Sequence, residues 1–208
     1  MIVGSIKEDL VLEKRVSITP ETAKNIIGLG LRVYIEKNYA CHLGIEDNEY
    51  EKNGVEIKDS SSEVLNSSNL IIKVNCPSDN EINILKEKTI LIGMFNPSKN
   101  KNQIDKIINK KIKIFSLELL PRITRAQSMD VLSSQSNLAG YRAVVDCVAE
   151  FEKAVPMMMT AAGTVPAAKV LIIGAGVAGL QAVATAKRLG AIVSATDVRS
   201  ASKEQVES

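Results

Sequence analysis

Three glycines near the end of the chain have the spacing of a dinucleotide-binding turn. Gly174, Gly176 and Gly179 follow the apolar run "KVLIIG" and open the helix-like segment "LQAVATAKRLG". In this pattern the first glycine permits a tight turn, the second lets the backbone approach a pyrophosphate, and the third lets the helix pack on the strand. The phosphates would face unpaired N–H groups at the positive end of the helix. The cofactor-binding candidates of this turn are Gly174, Gly176, Val177, Ala178 and Gly179.

An aspartate stands where such a site needs one. A second β-like run, "AIVSATD", ends in Asp197, eighteen residues after the last glycine of the motif. A carboxylate at this place can accept hydrogen bonds from the adenosine ribose hydroxyls. It also carries the same charge as a 2′-phosphate, so it favours NAD(H) over NADP(H). Arg199 is a further cofactor-binding candidate, because a nearby arginine can accommodate that phosphate; the alternative is a surface ion pair.

The elements that must position these residues alternate from the N-terminus onward. "MIVGSI", "LRVYIEK", "NLIIKVNCP" and "TILIGMF" are apolar runs of strand length, and helix-like segments such as "TPETAKNIIGLG" lie between them. In that segment Thr19 can cap a helix and Pro20 suits its first turn. Apolar strands that alternate with helices indicate a mostly parallel sheet covered on both faces. The predicted fold class is α/β, with a flavodoxin-like or Rossmann-like first domain.

A polar stretch, "PRITRAQSMDVLSSQS", interrupts this alternation after the predicted strand "KIKIFSLELL". It carries Arg122, Arg125, Gln127 and Asp130. We interpret it as a loop at the carboxyl edge of the sheet, where open α/β folds place their ligands. The alternative is that its polar residues cap the helix that we expect to begin near Ser133.

The domain organisation follows from the next segments. Apolar residues recur at helical spacing in "SSQSNLAGYRAVVDCVAEFEKAV", which predicts one long helix. The segment "PMMMTAAGTVPA" is expected to be a linker whose methionines pack at a domain junction. We expect an N-terminal α/β domain at 1–135, the helix and linker at 136–168, and the start of a Rossmann domain at 169–208. Since a Rossmann unit needs about five or six parallel strands, we expect the chain to be the N-terminal portion of a longer subunit.

Composition excludes several classes of function. The 208 residues are 45% hydrophobic and 24% charged with a net charge of +2, which is typical of globular proteins and gives no reason to expect nucleic acid. Cys41, Cys76 and Cys147 show no CxxC or His-containing metal spacing, so we expect reduced thiols and no metal. Neither a signal peptide nor an apolar run of membrane-spanning length is present in the sequence.

The chain resembles a known family. "PRITRAQSMDVLSSQSNLAGYRAV", "GAGVAGLQAVATAKRLGAIVSATDVRSASKEQVES", "EKRVSITPETA" and "IIKVNCP" closely resemble the NAD(H)-binding domain I of the alpha subunit of proton-translocating NAD(P) transhydrogenase. The resemblance implies that Val177 lies on the nicotinamide side of the site and that Asp197 holds the adenosine ribose. It also implies a set of catalytic residues that contact the nicotinamide end: Arg122, Gln127, Asp130 and Ser133.

The same resemblance implies partners and a location. NADP(H) would bind to a partner domain, proton passage through a membrane domain would drive hydride transfer, and two such domains would form a homodimer. The chain would lie at the cytoplasmic or matrix face, peripheral to the inner or plasma membrane through its partner domains. A noncatalytic NAD-sensing module is a second class of function that the sequence leaves open.

Alanine dehydrogenase shares the two-domain fold and is the alternative enzyme. A dehydrogenase that acts on an amino acid must move a proton as well as a hydride, so it needs an acid or base such as histidine. The chain has one histidine, His42, far in sequence from the loop and the glycine motif, and it reads "NPSKN" where alanine dehydrogenases carry a histidine. Arg15 and Lys73 match the dehydrogenase residues that hold the substrate carboxylate and carbonyl, but transhydrogenases resemble them there too.

Overall fold

A six-stranded parallel sheet organises the N-terminal half of the protein in the computed structural model, which describes residues 1–121 and 123–207. The strand order is β3-β2-β1-β4-β5-β6, and every neighbouring pair is parallel. The prediction of an α/β fold with a parallel sheet is therefore confirmed. The strands are β1 (Ile2–Ser5), β2 (Arg32–Glu36), β3 (Glu56–Lys58), β4 (Leu70–Ile72), β5 (Ile90–Gly93) and β6 (Lys113–Ser116).

Five helices connect these strands, and local capping explains where several of them begin. The Thr19 hydroxyl accepts a hydrogen bond from the Thr22 N–H at 3.2 Å, and Pro20 occupies the first helical position, as predicted. A capping box starts the fourth helix, where Ser78 and Glu81 each accept from the other's backbone N–H. The helices are α1 (Pro20–Gly28), α2 (Asp47–Glu51), α3 (Ser61–Ser67), α4 (Asp79–Ile84) and α5 (Lys101–Asn109).

Both faces of the sheet are buried. Along β4, Ile71 belongs to one apolar cluster, while Leu70 and Ile72 pack against the other, because successive strand residues point to opposite faces. Val64 of α3 and Ile107 of α5 are fully buried in the first cluster. This double burial explains why the strands read as nearly continuous apolar runs in the sequence.

The second half of the chain contains a parallel strand pair with helices against one face. Val170 and Ile172 of one strand pack against Val144, Ala182 and the neighbouring apolar side chains of two helices. A short antiparallel ribbon precedes the pair. The elements are α6 (Val131–Glu150), β7 (Met158–Thr160), β8 (Gly163–Val165), β9 (Lys169–Ile173), α7 (Val177–Arg188), β10 (Ile192–Thr196) and α8 (Ser202–Glu207).

The chain divides into two compact units, Met1–Met129 and Asp130–Ser208. The long helix α6 therefore belongs to the second unit. The bounds predicted from the sequence, 1–135, 136–168 and 169–208, differ in where they place this helix, and they stay a prediction about the domains. Within the described residues, no helix combines the length and apolar character needed to cross a membrane.

Two local predictions are corrected by the structure. The stretch interpreted as a loop contains a 3₁₀ helix at Thr124–Met129, and α6 begins at Val131 instead of near Ser133, because the Asp130 side chain caps the helix. The linker contains the β7–β8 ribbon, since Met158–Thr160 pairs with Gly163–Val165. The methionine packing is also wrong for this chain: Met159 is 82% exposed.

Candidate functional site

The glycine motif forms a strand–turn–helix junction in the second unit. Gly174 follows β9 with a φ of +99°, a conformation that residues with a β-carbon rarely adopt, and its N–H donates to the Thr196 carbonyl oxygen at 2.7 Å. Gly176 is the N-cap of α7, and no side chain caps it. The N–H groups of the first helical turn have no partner within the helix, so they are available to an anion.

Gly179 brings the helix back against the turn. A β-carbon built at this position would lie 2.8 Å from the carbonyl carbon of Gly174, and closer still to its carbonyl oxygen. No side chain fits there without a shift of the backbone. At Gly176, by contrast, a β-carbon would meet nothing within 4 Å, so the open space in front of this glycine can admit a pyrophosphate. The three glycines therefore have the roles that their spacing predicted.

Asp197 joins the end of β10 to the glycine turn. Its Oδ2 accepts from the Ala175 N–H at 2.7 Å, and its Oδ1 accepts from the Arg199 N–H at 2.8 Å. The side chain is only 10% exposed, because these contacts hold it beneath the turn. Ala175 was not among the residues predicted from the sequence, although its place between the first two glycines of the motif was a usable signal.

Arg199 forms the ion pair that the sequence left as an alternative. Its Nε donates to Asp197 Oδ1 at 3.0 Å, and its Nη2 donates to Oδ2 at 3.1 Å. The hydrogen bonds from the Arg199 side chain and backbone, and then that from the Ala175 N–H, lower the pKa of Asp197 far below its usual value. Asp197 is therefore ionised at neutral pH and acts only as an acceptor, as a bond to ribose hydroxyls requires.

A cavity of about 490 Å³ opens beside this pair. Its walls combine the end of β10 with the start of α8, and they carry both apolar and hydroxyl side chains. The place and size suit a nucleoside next to the ionised aspartate. The lining includes Ala175, Ala195, Thr196, Asp197, Arg199 and Ser200.

The residues predicted for the nicotinamide end are distributed over both units. Gln127 is exposed on the 3₁₀ helix of the first unit, and Arg122 lies outside the described residues. In the second unit, Asp130 accepts from the Ser133 N–H at 2.9 Å and from the Ser133 hydroxyl at 2.6 Å. These bonds cap α6, as the alternative interpretation expected, and they fix the two side chains at the helix start.

A second cavity, of about 630 Å³, lies at the carboxyl ends of strands in the first unit and contains a buried lysine. Lys73 is 5% exposed, and its Nζ donates to Glu81 at 2.7 Å and lies 3.9 Å from Glu8. Burial raises the pKa of Glu8, against the opposing effect of Lys73. The sequence did not predict this cluster, because Glu8 and Glu81 lie far apart in the chain.

The other candidates for substrate chemistry are occupied by local contacts. Arg15 donates to Glu13 at 2.6 Å. The His42 Nε2 is 2.7 Å from the Lys14 carbonyl oxygen, so this nitrogen carries a proton that it donates. Within the described residues, no group of three or more His, Cys, Asp or Glu side chains could hold a metal ion.

The sequence matches two family models along almost its whole length. They are described as "Alanine dehydrogenase/PNT, N-terminal domain", which matches residues 4–139, and "Alanine dehydrogenase/PNT, C-terminal domain", which matches residues 143–208. The chain belongs to the alanine dehydrogenase/PNT family. Membership of this family explains why a parallel sheet precedes the glycine motif.

Within this family, the transhydrogenases are the nearer relatives. The chain is 49% identical to the first portion of NAD(P) transhydrogenase subunit alpha of Rhodospirillum rubrum over 201 residues, which cover 94% of the chain and 52% of the relative. The crystal structure of a transhydrogenase from Sinorhizobium meliloti superposes with a TM-score of 0.94 at 49% identity, over 100% of the chain and 62% of that structure. The resemblance inferred from the sequence is confirmed.

The alanine dehydrogenase branch of the family is more distant. An alanine dehydrogenase of Methanococcus maripaludis is 31% identical, over 95% of the chain and 53% of that relative. The chain thus spans about half the length of the curated relatives it matches.

Proposed function

We propose that the chain is the NAD(H)-binding component of a proton-translocating transhydrogenase, which transfers hydride between NADH and NADP⁺ with proton movement across a membrane. The observation that carries the proposal is the junction of β9, the glycine turn and α7 with an ionised Asp197 bonded at 2.7 Å to the turn. The 49% identity to a transhydrogenase alpha subunit supports it further. A dinucleotide fits the junction, because Gly176 leaves open space at an uncapped helix start.

The residues of the chain would act by holding and orienting. The first-turn N–H groups of α7 would bind the pyrophosphate, and Asp197 would accept from the adenosine ribose hydroxyls. Gln127, Asp130, Ser133 and Arg122 would orient the nicotinamide end and leave one face of the ring open. A bound dihydronicotinamide supplies the hydride, and alignment of the two rings can provide most of the rate.

The partners follow from the same proposal. NADP(H) would bind to a separate domain, and a membrane domain would couple the reaction to proton passage. We also propose a homodimer of this component, peripheral to the inner or plasma membrane at the cytoplasmic or matrix face. A noncatalytic NAD-sensing module would bind the cofactor equally well, and only transfer to an NADP(H)-bearing partner separates the two functions.

Cofactor preference tests the proposed site. We expect the protein to bind NADH more tightly than NADPH, and we expect Asp197→Ala to lower NADH affinity about tenfold, since a hydrogen bond to a charged group is lost. Asp197→Asn keeps an acceptor for the Ala175 N–H but removes the charge, so it should narrow the preference while NADH binding falls less. Fluorescence titrations of both nucleotides measure these changes.

The control for this experiment is Asp105→Ala, which removes an exposed aspartate from α5 and should leave both affinities unchanged. Equal titration curves for NADH and NADPH with the intact Asp197 would contradict the assignment of this residue to the adenosine ribose.

Alanine dehydrogenase activity is the alternative, and the structure gives little support to it. The single histidine binds the Lys14 backbone, and Lys73 is already neutralised by Glu8 and Glu81. We therefore expect no alanine from pyruvate, ammonium and NADH when the assembled enzyme is assayed by amino-acid analysis. Alanine formation in a purified sample, with bovine serum albumin as a blank, would reverse the order of the two proposals.

A further inference from the structure

The helices α6 and α7 of the second unit approach most closely at a glycine outside the dinucleotide motif. Gly140 is buried in the middle of α6. A β-carbon built on it would lie 2.8 Å from the carbonyl carbon of Ala178 and 3.0 Å from the Ala178 Cα, and closer still to its carbonyl oxygen. The conflict is with backbone, so no rotation of a side chain relieves it.

Ala178 belongs to the first turn of α7, between Gly176 and Gly179 of the motif. The backbone that Gly140 touches is therefore the backbone of the proposed pyrophosphate site. Behind this point, Val144 packs in the same cluster as the small residues Ala182 and Ala186. These residues follow Gly140 and Ala178 at intervals of four, so a single helix face carries the whole contact.

The same helix also leads to the other end of the proposed site. It begins at the Asp130 cap, next to Ser133, and runs from there without interruption to Glu150. Since an α-helix rises about 1.5 Å per residue, α6 is a rigid spacer between these two predicted nicotinamide residues and the glycine turn. Its closest contact with α7 fixes the relative position of the two.

We propose that Gly140 is a positioning residue of the cofactor site, which sets the place of the first turn of α7 by allowing direct contact between backbones. This inference rests on the proposed NAD(H) site. A methyl group at residue 140 would push the turn away by about 1 Å, because ordinary carbon contacts begin near 3.5 Å. The cluster around Val144 holds the rest of α7, so the displacement would fall on the phosphate-binding N–H groups.

Helix propensity alone predicts the opposite sign. Alanine favours a helix interior over glycine, and Gly→Ala on an exposed helix is expected to stabilise a protein. A structural filler at residue 140 would therefore give a neutral or stabilising Gly140→Ala variant. A positioning residue gives a variant with a displaced turn and weaker phosphate binding.

The experiment compares Gly140→Ala with the wild-type chain by NMR and ligand titration. We expect the amide resonances of Ala178 and Gly179 to shift in the absence of ligand. We expect affinity for ADP to fall about tenfold, because hydrogen bonds to a charged phosphate are misaligned, while affinity for adenosine, which reaches Asp197 without phosphates, changes little. Gly28→Ala is the matched control, since a β-carbon at the end of α1 meets nothing within 4 Å.

Val144→Ala is the second variant, in case Gly140→Ala does not fold. It loosens the same helix contact without adding an atom, so it should weaken ADP binding in the same direction by a smaller factor. Unmoved Ala178 and Gly179 amides in a folded Gly140→Ala chain, or equal losses for ADP and adenosine in either variant, would overturn the inference. Absence of ADP binding to the wild-type chain would instead refute the proposed function, and the amide shifts would then decide the role of Gly140 alone.

Discussion

Replacing Gly179 by alanine is expected to abolish most NADH binding and to destabilise the second unit. The added methyl group would meet the Gly174 carbonyl, which lies against this glycine with no space between them. Overpacking of this kind costs about 1–3 kcal/mol of unfolding free energy. It would also tilt the first turn of α7, so we expect the dissociation constant for NADH to rise about a hundredfold as two or more hydrogen bonds to charged phosphate are misaligned.

Two other glycines separate the causes of this effect. Gly176→Ala should lower NADH affinity without loss of stability, because a β-carbon there occupies only the open space proposed for the pyrophosphate. Gly28→Ala should change neither property. Chemical denaturation gives the stabilities and fluorescence titration gives the affinities. A Gly179→Ala chain with wild-type NADH affinity would show that the turn is not the phosphate site.

Replacing Gln127 by asparagine is expected to slow hydride transfer while most NADH affinity remains. Gln127 is exposed on the 3₁₀ helix, away from the glycine turn in sequence, and it carries no bond that shapes the fold in the described structure. The shorter side chain withdraws its amide by about one methylene, and a misplacement near 1 Å can cost about a hundredfold when alignment is the main source of rate. Stopped-flow transfer to an NADP(H)-bearing partner in the reconstituted complex measures the effect.

The control is Gln103→Asn, the same chemical change on α5 in the first unit. It should leave both NADH affinity and the transfer rate unchanged. An unaltered transfer rate in a folded Gln127→Asn protein would assign the 3₁₀ helix to architecture. A loss of NADH affinity as large as the loss of rate would also contradict the proposal, because the residue would then act in binding and not in alignment.

The structure separates Asp130 and Ser133 from the expectation for Gln127. The sequence presents the polar residues of "RAQSMD" as one group, with helix capping as the alternative for all of them. In the structure Asp130 and Ser133 are hydrogen-bonded to each other at the start of α6, while Gln127 does not belong to that cap. A capping aspartate that also orients a cofactor remains a prediction. Substitution there would change helix stability and orientation together, so Gln127 is the more informative position.

The sequence by itself determined the α/β class, the parallel character of the first sheet and the place of the glycine turn. Each follows from local chemistry. Apolar runs without alternation, such as the one that contains Ile71, identify strands buried on both faces. The intervals between Gly174, Gly176 and Gly179 express the steric needs of one turn, and the first of them has the positive φ that this motif requires.

Only the tertiary structure decided which residues meet across the chain. The bond from Ala175 to Asp197 and the cluster of Lys73 with Glu8 and Glu81 join residues that are distant in sequence, and no periodicity marks such pairs. The contact of Gly140 with Ala178 is also invisible in the sequence, where a glycine inside a helix is simply a weak helix former. Spacing along a chain encodes the local backbone, whereas the distance between two helices is set only when their faces pack.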